Sequence, residues 1–86
     1  MSVPEKFLVT VRCGGEGIEV DMELPSGLPV GELKTKVLNV LKSLYPGQFE
    51  SWGECHLARG AQLLRDEEPL IQAGLFDGGY LDVIKP

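Results

Sequence analysis

The chain has 86 residues, of which 43% are hydrophobic and 24% are charged. This length suits one domain with a single core, and the apolar content argues against disorder. Thirteen acidic side chains outnumber eight basic ones and leave a net charge of −5, with Lys34, Lys36 and Lys42 as the only basic cluster. Nucleic acids and acidic membrane surfaces call for a basic patch, so the composition disfavours both as partners.

No apolar run reaches about 18 residues, so the sequence predicts no transmembrane helix. Residues 1–6 lack the charged-then-apolar pattern of a secretion signal. We therefore expect a single cytoplasmic domain over residues 1–86 that does not insert into a membrane. Two cysteines, Cys13 and Cys55, are too few for a disulfide scaffold, and reduced thiols are expected in the cytosol.

Two segments near the start of the chain alternate apolar and polar residues, which is typical of half-buried strands. Residues 7–13 place apolar side chains at the odd positions, and residues 18–24 place them at the even positions. Gly14-Gly15-Glu16-Gly17 lies between them, and its glycines permit a tight reversal. The pattern predicts a β-hairpin with Glu19, Asp21 and Glu23 on its outer side.

The period of the pattern changes after Pro29, a residue that suits the first turn of a helix. Apolar residues then recur at helical spacing until Pro46-Gly47 ends the pattern. The spacing predicts one amphipathic helix whose apolar stripe packs on a core. The stripe is formed by Val30, Leu33, Val37, Leu41 and Leu44 and is widened by Leu38 and Val40.

The second half of the chain carries shorter signals. Residues 55–58 and 62–64 are interpreted as brief strands, and residues 67–74 as one helical turn that ends at Gly74. Residues 80–84 form the last predicted strand, with Leu81 and Val83 pointing inward. The loop after the helix contains Phe49 and Trp52, which we expect to cover the end of the core.

The predicted order is two strands, a helix, two short strands and a final strand. The helix and the sheet must cover each other's apolar faces, so the fold class is α+β. The first and last strands are the most apolar, which places them side by side and parallel at the centre of the sheet. This arrangement is the β-grasp.

Two segments resemble the YukD/EsaB group, the small ubiquitin-like components of Gram-positive type VII secretion systems. The first runs from Leu24 through Pro25-Ser26-Gly27-Leu28-Pro29-Val30-Gly31-Glu32 to Leu33. The second comprises Gln62-Leu63-Leu64, Leu70-Ile71 and Asp77-Gly78-Gly79-Tyr80-Leu81, where Gly79 departs from the group's usual Asp-Gly-Asp turn. Both are packing and turn elements, so the resemblance implies a ubiquitin-like fold and, by association, a role in secretion.

Residues suited to chemistry are few. His56 is the only histidine, and a nucleophile pair with Cys55 is unfavourable because neighbouring strand residues point to opposite faces. One histidine and two distant cysteines fall short of a zinc site. Gly14-Gly15-Glu16-Gly17 lacks the Gly-Lys-Ser/Thr ending of a phosphate-binding loop. We therefore expect no enzyme activity, no metal and no cofactor.

Conjugation is a further alternative that the sequence disfavours. Ubiquitin-type modifiers and β-grasp sulfur carriers are activated at an exposed Gly-Gly end, whereas this sequence reads Val83-Ile84-Lys85-Pro86. The pairs Gly14-Gly15 and Gly78-Gly79 are predicted to lie in internal turns, and cleavage after Gly79 would remove the last strand. The expectation is a protein that is not attached to targets.

Binding is the function that the pattern favours, through the sheet face that the helix leaves open. Strand alternation assigns to this face Leu8, Thr10, Arg12, Glu19, Asp21, Glu23, His56, Ala58, Tyr80, Asp82 and Ile84. Leu8, Tyr80 and Ile84 are predicted to form an exposed apolar island beside acidic residues, with Ala58 on the same face. Trp52 is a secondary candidate, because aromatic side chains often anchor interfaces.

The sequence leaves three functions open. The first is a cytosolic, non-catalytic accessory module of a type VII secretion system that binds a protein, for example a membrane component of the machinery. The second is a modifier or sulfur carrier. The third is a ubiquitin-like domain excised from a larger membrane protein. The partner and the oligomeric state do not follow from the sequence.

Overall fold

The computed structural model describes residues 5–85, so residues 1–4 and Pro86 of the predicted domain lie outside the described range. The elements are β1 (Lys6–Cys13), β2 (Ile18–Pro25), α1 (Val30–Leu44), β3 (His56–Arg59), β4 (Gln62–Leu63) and β5 (Tyr80–Ile84). The predicted order of strands and helix is confirmed.

The five strands form one mixed sheet in the order β2-β1-β5-β3-β4. The hairpin partners β1 and β2 are antiparallel, and β1 pairs in parallel with β5 at the centre of the sheet. The antiparallel pair of β3 and β5 completes the sheet on one side, with β4 at its edge. The prediction that the first and last strands are central and parallel is confirmed.

The core lies between α1 and one face of this sheet. Val9 and Val11 from β1, Leu81 from β5 and Leu57 from β3 are fully buried there, together with Val37 from α1. The other residues of each strand point away from the helix, because successive strand side chains alternate between faces. The fold therefore leaves the opposite sheet face uncovered by its own helix.

The N-terminus of α1 is held by backbone from the loop before β5, without a side-chain cap. Val30 N–H donates to Glu68 O at 2.8 Å, and Gly31 N–H donates to Asp66 O at 2.9 Å. A Cβ at position 31 would lie 3.3 Å from the Cβ of Asp66, so a glycine suits this close approach. The loop is held further by an ion pair of 2.6 Å between Lys34 Nζ and Asp66 Oδ1.

The apolar stripe of α1 is narrower than its sequence predicts. Leu33, Leu38 and Leu41 are buried, but Val40 and Leu44 are exposed. Val40 lies at the margin of the stripe, about 100° around the helix from Leu41. Leu44 is the last residue of α1, whereas Phe49 in the loop that follows is fully buried in the core. The prediction that Val40 and Leu44 belong to the core-facing stripe is wrong.

The predicted helical turn near Gly74 is confirmed as a single hydrogen-bonded turn. Ala73 N–H donates to Pro69 O at 3.1 Å, and Leu75 N–H donates back to Leu70 O at 3.2 Å across Gly74. Gly74 has a φ of +86°, the left-handed conformation that ends many helical turns at glycine. The turn brings the fully buried Leu70 into the core.

Candidate functional site

The open face of the sheet is described by the register of its strands. Leu8 lies opposite Glu23, Thr10 lies between Asp21 and Tyr80, and Arg12 lies between Glu19 and Asp82. Asp82 in turn lies opposite Ala58, and Ile84 lies opposite His56. Every residue that strand alternation assigned to this face is on it.

Leu8 and Tyr80 form what we term the apolar lobe of the open face. They are diagonal neighbours on β1 and β5, and 48% and 53% of their respective surfaces are exposed. The backbone at Leu8 is fixed by the turn before β5: its N–H donates to Asp77 Oδ1 at 2.7 Å, and its carbonyl accepts from Gly78 N–H at 2.7 Å. The lobe is therefore exposed but held on a rigid strand.

Arg12 separates this lobe from Ile84. Its Nε donates to Asp82 Oδ1 at 3.0 Å, and its guanidinium carbon lies 4.5 Å from the centre of the Tyr80 ring. Ile84 lies beyond Asp82 and lines a shallow depression of about 400 Å³ together with Glu16 at the hairpin turn. The predicted island of Leu8, Tyr80 and Ile84 is therefore wrong as one continuous patch, because an ion pair divides it.

Three carboxylates of β2 form what we term the acidic column: Glu19, Asp21 and Glu23. All three are exposed, and β2 is an edge strand of the sheet. Asp21 Oδ1 accepts a hydrogen bond of 2.6 Å from Thr10 Oγ1. Among the described residues, no ion pair neutralises any of the three. The column thus borders the apolar lobe with three carboxylates, of which Glu19 lies opposite Arg12 and Glu23 lies opposite Leu8.

Two candidate binding residues are not accessible. Ala58 is on the open face but only 2% exposed, because its methyl group lies between the longer side chains of Asp82 and Leu63. Trp52 is 5% exposed and packs edge-on against Phe49, with ring centres 5.0 Å apart. Trp52 therefore covers the core as predicted, and the low exposure of Trp52 and of Ala58 argues against direct contact of either side chain with a partner.

Sequence reasoning missed two exposed apolar side chains, Leu63 and Phe76, which are each 57% exposed. Leu63 lies opposite Ala58 in the register, so it extends the open face to the edge at β4. The position of Leu63 on the open face could have been found from the short turn at Gly60-Ala61, because that turn sets the register between β3 and β4. Phe76 precedes the turn into β5, where its carbonyl accepts from Gly79 N–H at 3.0 Å.

The two thiols are unsuited to nucleophilic chemistry. Burial raises the pKa of Cys13 and the pKa of Cys55 to about 11. Cys55 Sγ lies 3.7 Å from the backbone oxygen of Lys34, to which it can donate a weak hydrogen bond. Since the thiolate is the reactive form, this raised pKa disfavours nucleophilic attack by either thiol at neutral pH. His56 is half-buried on the open face, where it lies opposite Ile84.

Residues 5–85 contain no group of three or more His, Cys, Asp or Glu side chains placed to hold a metal ion. Over the same residues, no helix has the length and apolar character needed to cross a membrane.

Solved structures with the same architecture are ubiquitin-like domains. A chain of the MycP5-free ESX-5 inner membrane complex is similar at a TM-score of 0.77 and 24% identity, over 96% of this chain but 21% of that one. The ubiquitin-like domain of the Mycobacterium tuberculosis type VII secretion protein EccD1 is similar at 0.74 and 24% identity, over 93% of this chain and 98% of that one. Caldiarchaeum subterraneum ubiquitin is similar at 0.69 and 24% identity, over 94% of each chain.

The resemblance to ubiquitin-like proteins is thus confirmed at the level of the fold, which is the ubiquitin-like β-grasp. The comparison with protein-family descriptions gives no match. The comparison with curated proteins gives no match either.

Proposed function

We propose that the chain is one non-catalytic ubiquitin-like domain over residues 1–86, and that it serves as a cytoplasmic accessory module of a type VII secretion system. It binds a protein, such as a membrane component of the machinery, and is not conjugated to targets. The carrying observation is the match over nearly the whole chain to the ubiquitin-like domain of EccD1, at a TM-score of 0.74. The chain spans about a fifth of the ESX-5 complex chain that it matches.

The open face supports binding as the activity. The apolar lobe exposes Leu8 and Tyr80 on strands at the centre of the sheet, where the backbone is fixed by hydrogen bonds. Exposed apolar groups on a rigid surface can be buried by a partner without a large loss of conformational entropy. The raised pKa values of Cys13 and Cys55 oppose covalent catalysis by either thiol.

The backbone hydrogen bonds of Gly78 and Gly79 argue against conjugation through these glycines. Gly78 N–H donates to Leu8 O at 2.7 Å, and Gly79 O accepts from Thr10 N–H at 2.9 Å. Both glycines are therefore part of the junction between β1 and β5. Releasing a Gly-Gly end at this point would detach β5, which carries the buried Leu81 and Val83.

A second candidate is a ubiquitin-like domain within a larger membrane-associated protein. The observation that favours it is the match to only 21% of the longer chain in the ESX-5 inner membrane complex. The genomic reading frame separates the two: an open frame that continues beyond Pro86 favours the larger protein. If the frame stops there, neighbouring genes for a secretion ATPase and for small helical-hairpin substrates favour the accessory module.

Affinity capture from the native membrane fraction tests the proposal. Wild type, Tyr80→Asp and Ile84→Asp are compared with Leu44→Asp, which places the same charge on an exposed leucine of α1. We expect Tyr80→Asp to lose a type VII membrane component that wild type and Leu44→Asp both retain. Capture of the same component by all four proteins would contradict binding through the open face.

Intact mass spectrometry of the protein purified from its native cells tests the absence of conjugation. The expected result is a free protein of the mass that the sequence encodes. A species joined through its own carboxyl end to a lysine of another protein would establish the modifier alternative. A thiocarboxylate at that end would establish the sulfur-carrier alternative.

A further inference from the structure

We propose that the partner segment on the open face is an amphipathic helix with Lys or Arg along one side and apolar residues beside them. This inference rests on the proposed function, because it names the chemistry of the partner at the same face. The apolar lobe (Leu8 and Tyr80) takes the apolar side of the helix, and the acidic column (Glu19, Asp21 and Glu23) takes the basic side.

The charges of the face select a basic partner. Within residues 5–85, the carboxylate of the open face that makes an ion pair is Asp82, with Arg12 at 3.0 Å. The three carboxylates of the acidic column have no cationic neighbour within ion-pair distance among the described residues. A partner that buries Leu8 must approach this column, because Leu8 lies directly opposite Glu23. An acidic partner would be repelled there, whereas a basic one would be attracted.

The spacing of the column matches a helix. Carboxylates two residues apart on a strand are separated by ~6.8 Å, since each residue of an antiparallel strand rises ~3.4 Å. Side chains at positions i and i+4 of a helix are separated by ~6 Å along its axis. Three cations at i, i+4 and i+8 therefore follow the three carboxylates. The intervening apolar residues face β1 and β5, where Leu8 and Tyr80 lie.

Two other occupants fit less well. An added strand at the edge of β2 would have to approach a strand whose charged side chains discourage such pairing. A second copy would present its own acidic open face, or the exposed ridge of α1, where the exposed Lys36 lies one helical turn from Val40. Neither arrangement supplies three positive charges to the acidic column.

Selection from a phage-displayed library of 16-residue helical peptides tests the inference, with the full chain immobilised. We expect enriched peptides to carry Lys or Arg at i, i+4 and i+8, with apolar residues at i+3 and i+7. Amide shifts in NMR spectra of the labelled protein are expected at Leu8, Thr10, Asp21 and Tyr80 when the most enriched peptide is added.

A matched pair of charge reversals makes the test specific. The double variant Glu19→Lys/Glu23→Lys is expected to raise the Kd of the enriched peptide on the order of tenfold, because two exposed ion pairs become repulsive contacts. The control Glu50→Lys/Glu54→Lys changes the net charge equally on exposed residues of the loop after α1, and it is expected to leave the Kd unchanged. Circular dichroism checks that both variants are folded.

Several outcomes would overturn the inference. It is wrong if no peptide is enriched, if the enriched peptides lack the basic spacing, or if Glu19→Lys/Glu23→Lys binds them as wild type does. Peptides that bind Glu19→Lys/Glu23→Lys as they bind wild type, but do not bind Tyr80→Asp, would support the proposed docking face and refute only the basic character of the partner. Amide shifts confined to other surfaces would refute the docking face as well. Basic residues enriched at every second position would indicate an added strand, and concentration-dependent dimers in sedimentation would indicate a second copy.

Discussion

Replacing Trp52 with alanine separates a structural role of this side chain from a binding role. Trp52 is 5% exposed, its ring centre lies 5.0 Å from that of Phe49, and Lys85 Nζ lies 5.8 Å from the centre of the Trp52 ring. A buried tryptophan removes ~150–250 Å² from water, which corresponds to about 4–6 kcal/mol at ~25 cal/mol per Å². Measured truncations of buried aromatic residues cost about 3–5 kcal/mol, so we expect a loss of about 4 kcal/mol.

Urea unfolding followed by far-ultraviolet circular dichroism measures this loss, because tryptophan fluorescence disappears with the residue. A domain of this length has a total stability of about 4–13 kcal/mol, so a loss of about 4 kcal/mol equals the whole stability at the lower end of that range. Trp52→Phe keeps an aromatic ring in the site and is expected to lose less than half as much. Phe76→Ala removes an aromatic side chain that is 57% exposed and serves as the matched control, with an expected loss below about 1 kcal/mol.

The result that would refute this reasoning is a loss for Trp52→Ala no larger than the loss for Phe76→Ala. Unchanged unfolding together with lost partner binding would show that Trp52 is an interface anchor after all. A large loss of stability in Trp52→Ala, with near-normal binding by folded Trp52→Phe, would support the packing role.

Two further predictions concern the thiols and a glycine. Burial raises the pKa of Cys13 and of Cys55 from 9.0 to about 11, so above pH 9 the unfolded chain binds fewer protons than the folded protein. The free energy of unfolding therefore falls as the pH rises from 9 to 11, by up to about 1.4 kcal/mol per pH unit for each thiol. Urea unfolding across this range should show that the free energy of unfolding of Cys13→Ala/Cys55→Ala falls less steeply with pH than that of the wild type. Equal slopes for the two proteins would contradict the raised pKa of the thiols. Gly74→Ala forces alanine to a φ of +86° and should cost about 1–2 kcal/mol in thermal or urea unfolding. Gly15→Ala, at a position with a negative φ and no atom within 4 Å of the added Cβ, should change stability little, and equal effects of the two substitutions would refute the argument.

Much of the site could be predicted from local sequence, because a strand that is buried on one side reveals its faces by alternation. The pattern of β1 and β2 placed Leu8, Thr10 and the acidic column on the outer face, and the structure confirms these positions. The amphipathic period of α1 likewise indicated its buried residues from Val30 to Leu41. These features depend on the nearest neighbours along the chain, so they are visible without knowledge of the fold.

Accessibility could not be predicted in the same way, because it depends on side chains contributed by distant segments. Trp52 is covered through its contacts with Phe49 and Lys85, which lies 33 positions further along the chain. Ala58 is on the predicted face, but the flanking strands β4 and β5 shield its methyl group. Leu44 lies on the apolar stripe, yet it is exposed where the helix ends, whereas Phe49 of the following loop is fully buried.

The sequence by itself determined the strands, the helix, the outward-facing carboxylates of β2 and the α+β class, since each follows from periodicity and from glycine and proline positions. Only the tertiary structure decided which outward-facing groups meet. The pairing of Arg12 with Asp82, across 70 positions of sequence, divides Ile84 from the apolar lobe. Such a division arises from the parallel register of β1 and β5, and that register is set by packing over the whole core rather than by either strand alone.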